Sequence, residues 1–273
     1  MQCRVTEANL LLAEIHGKFF EPARNVEDLL TSEVFGHLRY LSPSIFWERL
    51  FCYSLNAPMD GPPESLATVC ATQGCRISSY TELRVFFWPV YKGEDEPDLL
   101  ICFSGAAQRP LVVLVEAKLW AEKSDSPKGD QLVRYLSALG NPSGFNVSLP
   151  QQALCAIIYL TPRDSVEEVR ESAECSADPL SSARSIFRSQ WQDITLAAQE
   201  TISHECTAQT RMILQDIAAF LRRRNMEYFR GFTLIENFPF LSKRDGQFLN
   251  TSSHFLELEL PRSFSVEKGK WTQ

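Results

Sequence analysis

The sequence lacks the cysteine patterns of several protein classes. Its 273 residues include 8 cysteines, but none of them forms a CxxC pair. Zinc fingers and thioredoxin-like redox sites use such pairs, so both classes are disfavoured, although Cys70, Cys75 and a histidine leave a zinc site as a minor alternative. Because no disulfide framework is recognisable, the cysteines indicate a reducing compartment rather than a disulfide-stabilised secreted protein.

Long hydrophobic segments are missing as well. The longest uninterrupted apolar run, ALCAIIYL, extends from Ala153 to Leu160, whereas a membrane helix needs about 20 such residues. The N-terminus has no basic segment before its first apolar stretch, which Glu7, Glu14 and His16 interrupt, so no signal peptide is predicted. We therefore expect a cytoplasmic protein with no membrane partner.

Positive charge is scarce too. Lysine and arginine number 27 against 34 aspartates and glutamates, which gives a formal net charge of −7. A protein that coats nucleic acid non-specifically is usually basic, so that class is disfavoured, but a local basic patch can serve a site within an acidic protein. The chain contains no Gly-rich phosphate loop, no GxSxG motif and no HExxH motif. The sequence therefore does not support an NTPase, an α/β-hydrolase or a metallopeptidase of the HExxH type.

The spacing and composition of the apolar residues change along the chain, from a helical pattern to a strand-like one. Residues 1–57 are predicted to be helical from their i, i+4 apolar spacing. Residues 76–162 show the β-branched and aromatic composition of strands, interrupted by a predicted helix at 131–140. Residues 180–273 are predicted to add helices and strand pieces. We expect one α/β domain over residues 1–273, with a core at about 76–162 and mainly helical additions at both ends.

Two neighbouring strands of this core carry charges at their ends. Asp98 begins DLLICFSG, and Glu116 and Lys118 follow LVVLV in the next strand. Glu116 and Lys118 share a face because strand side chains alternate, and a hairpin through GAAQRP would bring Asp98 level with Glu116 or its neighbours. Burying such groups is costly unless they are paired. Two carboxylates with waters form an oxygen shell suited to Mg²⁺, which activates water and polarises a phosphodiester.

The helix that follows adds two more candidates. Gln131 and Tyr135 stand at i and i+4 in QLVRY, so they share one helix face. The segments PD at 97–98, EAK at 116–118 and QLVRY, in this order, resemble the motifs of the PD-(D/E)XK nuclease superfamily. The resemblance covers about residues 80–160.

That resemblance implies a restriction-endonuclease-like fold, with a mixed four-to-five-stranded sheet flanked by helices. It also implies Mg²⁺ or Mn²⁺ held by Asp98, Glu116 and the backbone carbonyl of Ala117. Lys118 would position the attacking water, and Gln131 and Tyr135 would support the site.

An extra metal-holding acid is implied in the N-terminal helix. The segment TSEVFGHLRYL resembles that helix and indicates Glu33. With Thr31 or Ser32 as the N-cap, Glu33 would lie in the first helical turn, where a carboxylate also simply favours the helix dipole. Glu82, on the first strand of the core, is a rival for the same role.

Basic residues near the predicted site are candidate phosphate contacts. Lys123 and Lys128 lie in the polar loop after Lys118, and Arg134 lies in the QLVRY helix. The cluster at 222–224 is interpreted as a structural face, because cations complement the end of a helix.

The resulting hypothesis is a nuclease that depends on Mg²⁺ or Mn²⁺ and hydrolyses phosphodiester bonds of DNA. We expect an endonuclease that leaves a 5′-phosphate and belongs to a bacterial or phage restriction or defence system. The alternative is a nuclease-fold subunit that binds nucleic acid, or is regulated by a protein partner, and has little activity of its own. RNA as the substrate, exonuclease action and homodimerisation stay open at this point.

Overall fold

The computed structural model describes residues 26–92, 95–106, 108–119, 129–204 and 206–228. The chain divides into two units at Tyr228, and every described residue belongs to the first unit. The predicted strand pieces after residue 228 and the candidates Lys123 and Lys128 lie outside the described residues. The expectation of one domain over residues 1–273 therefore stays a prediction.

The described residues are organised around a six-stranded mixed sheet. The strands are Leu55–Asn56 (β1), Glu82–Phe87 (β2), Leu99–Ser104 (β3), Leu111–Ala117 (β4), Leu154–Thr161 (β5) and Ile186–Gln190 (β6), in the spatial order β1-β6-β5-β4-β3-β2. β2, β3 and β4 are antiparallel, β4, β5 and β6 are parallel, and β1 is antiparallel to β6. The predicted α/β class with a mixed sheet flanked by helices is thus found. The sheet has one strand more than expected, because β1 is too short to show a period.

The helices of the described ranges cover both faces of this sheet. They are Val26–Leu38 (α1), Glu48–Tyr53 (α2), Leu66–Thr72 (α3), Gln131–Leu139 (α4), Val166–Glu174 (α5), Pro179–Ala183 (α6), Trp191–Ser203 (α7) and Ala208–Arg222 (α8). A π-helical turn at Pro43–Trp47 leads into α2. Pro43 marks the break between α1 and α2, because proline lacks the N–H that would continue the preceding helix.

Alternating strand residues build two separate hydrophobic cores. Ile101, Val113 and Val115 point to the face that α1, α7 and α8 cover, whereas Leu100 and Leu114 point to the face that α4 covers. Strands buried on both faces read as continuous apolar runs rather than as alternating ones. This explains why LLICF and LVVLV contain no polar residue.

The β3–β4 hairpin has the register that the sequence predicts. Leu99 pairs with Val115, and the pairing continues to Phe103 and Leu111. One residue further toward the open end of the hairpin, Asp98 stands level with Glu116. The parallel strand β5 ends at the same edge of the sheet, since Ala117 pairs with Leu160.

The N-cap predicted at Thr31 or Ser32 is wrong. α1 is already helical at Val26, and its first described turn carries Glu27 and Asp28. Thr31 and Ser32 are buried inside the helix rather than capping it, and the Ser32 hydroxyl donates to the Leu29 carbonyl at 3.0 Å. Hydroxyl side chains serve as N-caps at helix ends, but within a helix they bond back to a carbonyl one turn earlier.

The inward face of α8 differs at two positions from its predicted pattern. The spacing predicts Met212, Ile213, Ile217, Phe220 and Leu221 toward the core. Met212 is 64% exposed, whereas Leu214 is fully buried. The buried stripe is therefore carried by Leu214, Ile217 and Leu221, which lie on one side of the helix at spacings of three and four residues.

Candidate active site at the open end of the β3–β4 hairpin

Two carboxylates lie side by side at this end of the sheet. Asp98 and Glu116 are only 8% and 3% exposed. The Ala117 amide donates a hydrogen bond of 2.7 Å to Asp98 Oδ2. Burial, followed by the repulsion of Glu116, raises the pKa of Asp98 well above its usual value, and burial also raises the pKa of Glu116. A cation at this edge would favour the charged form of both groups.

Lys118 supplies a cation next to these acids. Its Nζ lies 2.6 Å from Glu116 Oε1, and the side chain is buried. Burial by itself lowers the pKa of Lys118, but Glu116, Glu27 and Asp98 together outweigh it, so the pKa is raised. Lys118 is therefore an ammonium that can donate hydrogen bonds, and it is not disposed to accept a proton at neutral pH.

The helix α4 brings Gln131 and Tyr135 to the same place. Asp130 caps this helix, because its Oδ1 accepts from the amides of Leu132 and Val133 at 2.9 and 3.1 Å. The cap places Gln131, the first residue of the helix, at the sheet edge. There Gln131 Nε2 donates to Glu116 Oε1 at 2.8 Å. Gln131 Nε2 also lies 3.0 Å from the Tyr135 hydroxyl. Five of the residues predicted from the sequence thus converge: Asp98, Glu116, Lys118, Gln131 and Tyr135.

Two oxygen atoms in this cluster are buried and have no hydrogen-bond partner among the described residues. They are Glu116 Oε2 and Gln131 Oε1. A buried carboxylate oxygen without a partner is costly, and carboxylate and amide oxygens are ligands that Mg²⁺ accepts. Among the described residues no group of three or more histidine, cysteine, aspartate or glutamate side chains is arranged to hold a metal ion. A metal site here would therefore rest on Asp98 and Glu116, with further oxygen donors such as the Gln131 amide.

Glu27 is the acid of α1 that reaches the cluster. Its Oε1 lies 3.6 Å from Lys118 Nζ, and its Oε2 accepts a hydrogen bond of 2.7 Å from the Leu119 amide. Sequence reasoning missed Glu27 because the N-cap was placed after it, at Thr31 or Ser32. The signal that was available is the acidic pair in the first turn of α1, where carboxylates favour the helix dipole.

The predicted acid Glu33 lies in another environment. It lies six positions after Glu27, which is about 9 Å along the helix axis and about 120° around it. The Glu33 carboxylate lies 3.9 Å from the ring of His37. Burial lowers the pKa of Arg224, and Glu33 opposes that shift, so these two groups also lie near each other.

The rival acid Glu82 stands at the opposite end of the strands from Asp98. It pairs with Ser104 in the β2–β3 register, whereas Asp98 precedes the pairing of Leu99 with Phe87. Its exposed carboxylate accepts a hydrogen bond of 3.0 Å from the Ser104 hydroxyl. The structure therefore does not bring Glu82 to the cluster.

The backbone that carries Lys118 is held from two directions. The Lys118 amide donates to the Leu160 carbonyl at 2.8 Å. The Trp191 indole, which is fully buried at the start of α7, donates to the Lys118 carbonyl at 2.9 Å. Together with the Glu27 contact to Leu119, these bonds hold the end of β4 where regular strand pairing stops. Rigid support of this kind keeps functional side chains in position.

Arg134, predicted to contact phosphate, is engaged in contacts within the protein. Its guanidinium lies 3.2 Å from Asp95 Oδ1 and donates to the Gly129 carbonyl at 2.6 Å. These contacts fasten the start of α4 to the segment before β3. A contact between Arg134 and nucleic acid remains a prediction.

The cysteines named as a possible zinc site are buried free thiols. Burial raises the pKa of Cys70 to about 12, and the neighbouring Cys75 adds to the shift. Thiols with a raised pKa are poor metal ligands, since zinc binds the thiolate.

Comparison of this chain with protein-family models, with curated proteins and with solved structures found no match. In the described ranges, no helix combines the length and the hydropathy that crossing a membrane requires.

Proposed function

We propose that this protein is a metal-dependent nuclease that hydrolyses phosphodiester bonds of DNA. The observation that carries the proposal is the burial of Asp98, Glu116 and Lys118 together at one edge of the sheet, with Gln131 bonded to Glu116. A fold has no structural reason to bury two acids and a lysine at a strand end, because the desolvation cost is rarely recovered by the ion pair. Such clusters are typical of functional sites.

The residues present fit a divalent metal ion. Asp98 and Glu116 would hold Mg²⁺ or Mn²⁺, with the Ala117 carbonyl and the Gln131 amide oxygen as further donors. The partnerless Glu116 Oε2 supports this assignment. When bound, the metal ion would lower the pKa of a coordinated water and offset the charge that develops on the phosphate.

The raised pKa of Lys118 favours the role of a hydrogen-bond donor. An ammonium at this position can hold the attacking water or donate to a phosphate oxygen, and both interactions strengthen as negative charge accumulates. Gln131 and Tyr135 keep the Glu116 carboxylate in place through their hydrogen bonds. Glu27 and Trp191 hold the backbone on which Lys118 is mounted.

The proposed reaction consumes one water molecule for each bond that is cut. The water oxygen forms a bond to phosphorus while the bond between phosphorus and the 3′ oxygen breaks. The 3′ oxygen leaves with a proton, and the other strand end keeps a 5′-phosphate. This direction of cleavage is the one that the family resemblance implies.

The test is a cleavage assay with purified protein on plasmid DNA, single-stranded DNA and RNA. Each substrate is incubated with Mg²⁺, Mn²⁺ or EDTA. The wild-type protein is compared with Lys118→Met, which removes the ammonium, and with Glu82→Gln, which changes an exposed acid at the other end of the strands. We expect DNA cleavage that needs the metal, is lost in Lys118→Met and is retained in Glu82→Gln.

Two other outcomes contradict the proposal. Cleavage that persists in Lys118→Met would place the activity elsewhere or in a contaminant. DNA binding without cleavage under every metal condition would favour the alternative of a binding or partner-regulated subunit. Cleavage of RNA alone would change the substrate class but keep the site.

A further inference from the structure

A cavity of about 290 Å³ lies next to Lys118, on the β5 side of the candidate active site. Its lining includes Lys118 and Leu119 at the end of β4, Tyr159 and Arg163 at the end of β5, and Glu168 of α5. Tyr159 pairs in register with Glu116, so the floor of the cavity adjoins the proposed metal-holding acid. The carboxyl ends of parallel strands are the usual place for a ligand crevice in open α/β sheets.

The walls of this cavity are held in place by a set of hydrogen bonds. The Tyr159 hydroxyl donates to Glu168 Oε2 at 2.9 Å, which orients that carboxylate. Thr161 Oγ1 donates to the Arg163 carbonyl at 2.5 Å, and Gln192 Nε2 donates to the Pro162 carbonyl at 2.9 Å. The turn that carries Arg163 is therefore preorganised, which lowers the entropic cost of binding a ligand.

The cavity offers cations at its mouth and an acceptor deeper inside. Arg163 is 69% exposed, and its closest approach to Glu168 is 4.0 Å. An exposed guanidinium at the mouth of the cavity can contact a ligand phosphate. Lys118 offers a second cation toward the cluster, and Leu119 and Pro162 offer apolar contact.

This combination points to one class of ligand. A phosphate would lie toward Lys118 and Arg163, an apolar base face would pack against Leu119 and Pro162, and a base amine or sugar hydroxyl would donate to Glu168. A cavity of about 290 Å³ lies at the lower limit of small-ligand sites, which are about 300–1,000 Å³, so the ligand it favours is a single nucleotide rather than a base pair.

We propose that this cavity binds a single unpaired nucleotide of the substrate strand, next to the phosphate that is cut. This inference rests on the proposed nuclease function and adds a substrate class to it. The enzyme should prefer single-stranded or frayed DNA, because a paired base would have to leave the duplex first.

The first experiment measures binding without catalysis. The four deoxynucleoside 5′-monophosphates and inorganic phosphate are titrated into metal-free protein by calorimetry. We expect the nucleotides to bind more tightly than phosphate alone, and Arg163→Ala and Glu168→Gln to weaken nucleotide binding by about fivefold or more. The matched control is Arg170→Ala on the same helix as Glu168, because Arg170 pairs with Glu167 outside the cavity.

The second experiment measures cleavage of linear single-stranded, circular single-stranded and duplex DNA. Glu168→Gln should raise KM on single-stranded DNA while kcat is maintained, since Glu168 binds the nucleotide and takes no part in the chemistry. Cleavage of circular single strands would show that the nucleotide comes from the chain interior, whereas cleavage of linear strands alone would identify a strand end.

The results separate this inference from the proposed function. If no nucleotide binds, or if the two cavity variants bind as tightly as the wild type, the cavity inference is overturned even when DNA is cut. If nucleotides bind at the cavity but no substrate is cut with either metal, nucleotide binding by the cavity stands, whereas its role beside a cut phosphate fails together with the nuclease proposal. A preference for duplex DNA over single-stranded DNA would also contradict the inference.

Discussion

Acidic residues are exposed at one end of the antiparallel strands β2, β3 and β4 and buried at the other. At one end Glu82 is exposed and shares a hydrogen bond with Ser104. At the other end Asp98 and Glu116 are buried against Lys118. All three acids stand near strand ends, so the strands alone do not distinguish them. The difference comes from the elements that close over one end, namely the first turns of α1, α4 and α7.

This contrast shows that the burial of an acidic side chain by neighbouring elements, rather than its position in the strand, determines its chemical behaviour. The exposed carboxylate of Glu82 is hydrated, whereas burial raises the pKa values of Asp98 and Glu116, so this pair needs a cation to stay charged. The strongest way to test the contrast is to neutralise acids at each end separately.

The largest effect is expected from Asp98→Asn and Glu116→Gln. Each change keeps the shape of the side chain but removes a charge that would hold the metal. We expect kcat for DNA cleavage to fall on the order of 10³-fold, because metal stabilisation of the transition state is worth several kcal/mol. Glu82→Gln should leave kcat unchanged. Equal losses at both ends of the strands would refute the contrast.

The next effect concerns stability and does not depend on activity. Lys118→Met leaves the buried acids without their cation, and removing one partner of a buried ion pair destabilises by about 3 kcal/mol. Urea unfolding in EDTA measures this loss. The control Arg170→Met breaks an exposed pair on α5, where a change of about 1 kcal/mol or less is expected. Similar losses for the two variants would show that the buried ion pair of Lys118 contributes no more to the free energy of unfolding than an exposed pair.

Metal binding should distinguish the two ends by thermal unfolding. At ten times its Kd, Mg²⁺ or Mn²⁺ stabilises a protein by about 1.4 kcal/mol, which corresponds to a rise in Tm of about 2–3 °C for a chain of this size. The wild type and Glu82→Gln should show this rise after EDTA treatment and metal addition. Asp98→Asn and Glu116→Gln should not, and an undiminished rise in these two variants would contradict the proposed metal site.

The smallest effect tests which acid of α1 serves the site. Glu27→Gln keeps an oxygen for the Leu119 amide but removes the charge near Lys118, so we expect a loss of kcat of about tenfold with little change in KM. Glu33→Gln should have no effect on kcat, because Glu33 lies beside His37 instead. The reverse result would restore Glu33 as the functional acid of this helix.

Local patterns predicted most of the central site. The hairpin register follows from the spacing between the two apolar runs, and that register alone places Asp98 beside Glu116. The i, i+4 spacing places Gln131 and Tyr135 on one helix face, and the Asp130 cap directs that face to the sheet edge. These inferences depend on contacts between residues close in the chain, whose geometry a regular period determines.

Other features depended on contacts that no period encodes. The bond from the Leu119 amide to Glu27 joins residues 92 positions apart, and that from Trp191 to Lys118 joins residues 73 positions apart. The pairing of β1 with β6 is equally remote, and Arg134 is held by Asp95 rather than turned outward. Such contacts are set when helices pack against the finished sheet.

The sequence by itself was enough to predict the α/β class, the strands of the central hairpin and the clustering of five residues: Asp98, Glu116, Lys118, Gln131 and Tyr135. Only the tertiary structure decided that Glu27 rather than Glu33 reaches Lys118, that Glu82 lies at the far end, and that a cavity adjoins the site. The physical reason is the range of the interactions. Backbone periods order residues a few positions apart, whereas desolvation, ion pairing and cavities are created when distant elements close over one another.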